Sequence, residues 1–173
     1  MSKPGPTENL AIFLAHSVAL EEEAAEQHDE LADMMDVHHN TEVAAVFRKL
    51  AHYSRLHAQE VREHAQGQEL PRFAPWEFDW GEQSSPEAGG IDGAHYLMTT
   101  RHALRLAMKN ERRAYDFYHL ISQNSPDPEV RDLAAEFAEE EKGHMDLLEK
   151  WLEATPDSAN EARFDMDPPH VPE

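Results

Sequence analysis

Glu141 and His144 stand three residues apart in the stretch AEEEKGHMDLLEKW, residues 138–151. On a helix that spacing puts both side chains on one face. The same face carries Phe137, Leu148 and Trp151, which the pattern expects to be buried. A carboxylate aimed into an apolar face is costly unless it is paired, protonated or bound to a metal. Two further glutamates raise the same question. Glu21 interrupts the heptad column Leu14, Glu21, His28, Met35, beside Leu10, Ser17, Ala24 and Leu31. Glu111 interrupts Leu104, Glu111, Tyr118, beside Ala107, Ala114 and Ile121. His57 faces inward from another segment, in the series Ala51, Ser54, His57, Val61. Arginine is scarce on these faces and no lysine falls in the columns, so a metal ion is the simplest partner. Oxygen-rich sets with two imidazoles suit iron or manganese better than copper or a closed structural zinc site.

Such a cluster needs four helices at matching depth. Periodicity predicts helices over about residues 7–38, 41–66, 99–124 and 127–155, and no strand. Thr41 is the expected N-cap of the second, with Glu42 in its first turn. The run SPDPEV starts the fourth, with Asp127 as N-cap and Pro128 at the first helical position. Short, long, short connections give two antiparallel helix hairpins joined by a crossover over about residues 67–98. The expected architecture is an all-α four-helix bundle over residues 1–155, with a proline-rich tail over 156–173. Its 3.5-residue apolar period implies left-handed packing. Trp76 and Trp80 are expected to anchor the crossover on the bundle or on a second subunit.

The halves repeat. Glu21, Ala24, His28 and Leu31 match Glu111, Ala114, Tyr118 and Ile121 in spacing, and Ala51, Ser54, His57 and Val61 match Ala138, Glu141, His144 and Leu148. A repeated hairpin makes a pseudo-symmetric bundle whose axis suits a shared site. Bundles of this kind hold di-iron or di-manganese centres with a Glu from each of two helices and a Glu-x-x-His from each of the others.

At 173 residues the chain makes one domain with a sizeable core. Its 35 acidic and 15 basic residues give a net charge of −20, which argues against nucleic acid or an anionic membrane as partner. Cysteine is absent, which excludes disulfides, thiolate metal sites and iron–sulfur clusters, and fits the cytoplasm. LAIFLAHSVAL, residues 10–20, is too short to span a bilayer and reads as part of a mature helix rather than a signal peptide.

Over about residues 8–154 the chain resembles rubrerythrin-type members of the ferritin-like superfamily, without the rubredoxin domain. The resemblance rests on ERRAYDFYHLI (Glu111 to Ile121), on AEEEKGH (Ala138 to His144) and on a weaker copy, EEEAAEQHDELA (Glu21 to Ala32), with His28 where the family has tyrosine. It implies Glu21 and Glu111 as terminal ligands, Glu141 as a bridge, His144 and His57 as further ligands, and Tyr118 hydrogen-bonded to a ligand carboxylate of the other half. It also implies two iron ions, manganese or mixed metals being alternatives, and chemistry with peroxide or dioxygen in which Glu141 and Tyr118 take part. Electrons would come from a separate donor, and the assembly would be a homodimer. The chain departs from the pattern at Ser54, where the family has the second bridging glutamate, and at Ala114. Two ferrous ions facing only Glu21, Glu111 and Glu141 keep one uncompensated positive charge, so the site holds a single metal or two of unequal affinity unless another group fills the gap. His28 ranks first as substitute, as a ligand or as a hydrogen-bond partner of Glu111. Glu60 lies one turn beyond His57, and Glu22 points about 100° from Glu21. His38, His39, His52, His64, His119, Glu139 and Glu140 are expected to be solvated. The alternatives to a peroxidase or ferroxidase are a non-catalytic iron buffer, sensor or delivery protein, and a bundle kept only for partner binding.

Overall fold

The computed structural model describes residues 5–74, 77–80 and 98–156. Among these are four helices and no strand: α1 Leu10–Val37, α2 Thr41–His64, α3 Thr100–Asn124 and α4 Pro128–Ala154. α1 packs along α2 and α3 along α4 as hairpins, and the hairpins meet through α2 with α3 and α1 with α4. Most of the crossover, Trp76 with it, and residues 157–173 of the tail lie outside the described residues.

Local signals set the helix ends. Asn9 caps α1 by accepting from the Ile12 amide at 3.0 Å. Asp127 caps α4 by accepting from the Glu129 amide at 2.9 Å, with Pro128 following. Thr99 and His102 cap α3 reciprocally, the His102 ring taking the place usual for glutamate. At α2 the capping position is Asn40 rather than Thr41. Asn40 makes no cap bond; its Nδ2 donates to the Met98 carbonyl at 2.7 Å and ties the α1–α2 turn to the start of α3. Arg101 closes the same end by donating to the carbonyls of Leu152 at 2.7 Å and Thr155 at 2.9 Å.

The apolar core forms two clusters, one toward each end of the bundle. One gathers Leu31, Met35, Phe47, Leu50, Leu104 and Leu148; the other gathers Phe13, Leu14, Val61, Tyr118, Ile121 and Phe137. Between them the inward positions become polar: Glu21, Ser54 and Glu141 are all buried. The bundle is therefore held at its ends by hydrophobic packing and carries its ionisable groups in a middle layer.

Trp80 packs edge-on to His16 at 5.2 Å and against Phe117 at 5.5 Å, so it anchors the crossover on the bundle. None of the helices is long and apolar enough to cross a membrane.

Candidate metal centre

The polar layer brings one residue or pair from each helix to a cavity of about 20 Å³. Glu21 comes from α1, Ser54 and His57 from α2, Glu111 from α3, and Glu141 and His144 from α4. His144 is the hub. Its Nδ1 lies 3.1 Å from Glu111 Oε2 and 3.2 Å from Glu141 Oε2, and its Nε2 lies 3.1 Å from His57 Nε2. His57 Nδ1 stands 4.0 Å from Glu21 Oε1. One ligand-capable atom from each of His57, Glu141 and His144 falls within 4.8 Å of the other two.

The electrostatics give each imidazole a different state. Burial pushes His57 down, and repulsion from His144 pushes it further, to about 4. Burial also pushes His144 down, but its hydrogen bond to Glu111 and the negative field of Glu111, Glu21 and Glu140 outweigh it, and its pKa is raised. Burial alone would push the Glu111 carboxyl up, yet its hydrogen bonds with His144 and Glu141 hold it below its ordinary value. Of the two rings, His144 is the one held toward its protonated form and His57 the one held neutral. Their Nε2 atoms are within hydrogen-bond distance, one ring donating and the other accepting.

No lysine or arginine lines the cavity. The arginines of α2 are turned outward: Arg48 pairs with Asp33 and Asp36, Arg55 with Asp29 and Arg62 with Glu22. Several carboxylates and two imidazoles thus converge with no lysine or arginine among them, and that donor set could hold metal ions.

A family model described as Rubrerythrin matches residues 13–152. The chain belongs to the rubrerythrin family. It is also similar to a crystal structure described as an uncharacterized conserved protein from Magnetospirillum magnetotacticum MS-1. The two share 47% identity over 87% of this chain and 98% of the other, with a TM-score of 0.64. No curated protein matches the chain.

For this rubrerythrin the remaining candidates fall outside the cavity. His28 is 2% exposed, stacks on Phe47 at 6.1 Å, and neither of its ring nitrogens has a hydrogen-bond partner, so the expected bond to Glu111 is not formed. Burial pushes its pKa down, against the field of Glu111 and Asp29. Tyr118 is buried edge-on to Phe13 at 6.2 Å and Phe137 at 5.4 Å, and does not line the cavity. Glu22 is occupied on the surface by Arg62. Glu60 forms a second group with His57 and Glu140 on the outer side of His57. Glu140 is half-buried rather than solvated, and burial together with Glu60 and Glu136 pushes its pKa up. His38, His39, His52, His119 and Glu139 are exposed, while His64 packs edge-on to Phe137 at 5.5 Å.

Trp151, expected on the face of Glu141 and His144, lines the cavity and is half-buried. Tyr53 lines it too, and Lys49 Nζ sits 4.3 Å from the Trp151 ring centroid; neither was among the residues read from the sequence, although Tyr53 directly precedes Ser54.

Proposed function

We propose that this protein is a di-iron or di-manganese oxidoreductase of rubrerythrin type, reducing peroxide or oxidising Fe(II). The observation that carries the reading is the convergence of Glu21, His57, Glu111, Glu141 and His144 from all four helices on one cavity. Bound iron would supply electrons by passing between its ferrous and ferric states. Glu21 and Glu111, each beside one histidine, Glu21 with His57 and Glu111 with His144, would hold metal together with those rings. Glu141, next to His144 on the other side, would be the carboxylate shared between two ions. His144 would have to give up its proton to serve as a ligand, and the neutral His57 would not. The two apolar clusters close the layer above and below along the bundle. Reduction of peroxide to water consumes two electrons and two protons, so a cytoplasmic homodimer would draw on a separate electron donor. Oxidation of Fe(II) by peroxide would not need one.

Ser54 favours a second reading, an iron buffer or delivery protein, because one bridging carboxylate is lacking. Peroxide added to the anaerobically Fe(II)-loaded protein separates the two. The oxidoreductase reading expects ferric absorbance to grow much faster than with free Fe(II) at equal concentration, and the His144→Ala variant to lose the acceleration. Oxidation at the rate of free Fe(II) would leave the buffer reading standing.

A further inference from the structure

The centre is pseudo-symmetric in every element but one. His57 opposes His144 and Glu21 opposes Glu111, but the counterpart of Glu141 is Ser54. Ser54 is buried and lines the same cavity as Glu141, so its short side chain stops where a carboxylate would continue. A helical serine usually bonds back to the carbonyl one turn earlier. Ser17 does so, donating to the Phe13 carbonyl at 3.0 Å. Ser54 makes no such bond, and its hydroxyl is left to the cavity. The wall beside it is Leu50, Tyr53, Leu147 and Trp151, which offers no carboxylate to replace the missing one. At about 20 Å³ the cavity clears the minimum of about 10–15 Å³ that one water needs, so the space beside Ser54 admits only a small polar group. Serine Oγ stands where glutamate has Cγ, so the missing group is one carboxylate, the size of formate.

Building on the metal-binding reading above, we propose that the Ser54 side of the centre is a binding site for a small monocarboxylate, formate being the best fit, which completes the ligand set when metal is bound. Charge argues the same way. Two divalent ions facing Glu21, Glu111 and Glu141 keep one positive charge, and one monoanion neutralises it. The Ser54 hydroxyl donates a hydrogen bond to the anion, and the apolar wall limits its size. The protein's metal affinity then depends on an external anion, which a fourth glutamate would make permanent.

The test is anaerobic calorimetric titration of the full chain with Fe(II), with and without formate at constant ionic strength. Wild type should bind Fe(II) about tenfold or more tightly in saturating formate. Acetate should act more weakly, and bulky pivalate should do nothing. Ser54→Glu should bind tightly without formate and ignore it. Ser54→Leu should keep the weaker binding and lose the formate effect. If Fe(II) binds to wild type and formate changes nothing, the anion site is refuted while the metal centre stands. If neither wild type nor Ser54→Glu binds Fe(II), the metal reading fails and the anion site falls with it.

Discussion

His144 Nε2 and His57 Nε2 lie 3.1 Å apart, so a proton sits between the two imidazoles where metal would draw on both. His144 also faces Glu111 and Glu141 through Nδ1. Protonation of His144, which these neighbours favour, brings to the layer the positive charge that a metal would otherwise bring. Metal must displace it, because ligating imidazole is neutral.

Metal loading should therefore release protons, and affinity should rise with pH. The pKa of His144 is raised above 6.5, so competition by the proton already operates at neutral pH. The sign follows: apparent affinity for Mn(II) should rise from pH 6 to pH 8. His57, near 4, adds little in this range. Pairing titrations in buffers of different ionisation enthalpy counts the protons released.

His28 gives a stability effect of the opposite pH sign to that of His144. Its folded pKa is depressed below the unfolded 6.5, so between those values the unfolded chain binds more protons. Stability is fully present above 6.5 and is lost as pH falls toward the folded value. The slope reaches up to about 1.4 kcal/mol per pH unit for one histidine. The variant His28→Phe should flatten the fall in stability between pH 6.5 and pH 5 measured by urea unfolding. It should also unfold no more easily than wild type at pH 8, since it removes two buried ring nitrogens that have no partner.

Removing a central carboxylate should separate stability from metal binding. Glu141→Gln is expected to leave the metal-free protein within about 1 kcal/mol of wild type, because the amide keeps the side chain's shape and Glu111 remains as a partner for His144. The same change should abolish the gain from metal. With free metal at about a hundred times Kd, wild type should gain about 2.7 kcal/mol, and a chelator should reverse it. Thermal scans of both proteins with Mn(II) and with chelator read both effects.

Much of the bundle was legible because its signals are local or periodic. Asp127 followed by Pro128 marks a helix start in any context, and the hydrogen bond to Glu129 is that signal at work. Glu21 and Glu111 stood out because each breaks an apolar column of fixed period. What was hidden depends on pairing between distant segments. His16 is fully buried, yet it falls outside the heptad columns; it is covered by Phe78 and Trp80 of the crossover, which has no periodicity to read. Asn40 caps nothing, and its amide donates to Met98, far along the chain. Asn110 is buried with its Oδ1 lacking a partner, and its neighbours in sequence carry no hint of that. His28 held its place in the core column but turned to Phe47 rather than to Glu111, a choice of rotamer that spacing does not reveal.

The most direct test is an anaerobic Fe(II) titration counting ions bound per chain, in wild type and in Glu141→Gln and His144→Ala. Wild type should bind two ions per chain, one tightly and one more weakly for want of a carboxylate at Ser54, and both variants should lose the tight ion. Wild type binding no Fe(II), or variants binding as wild type does, would contradict the assignment of this layer as a metal centre.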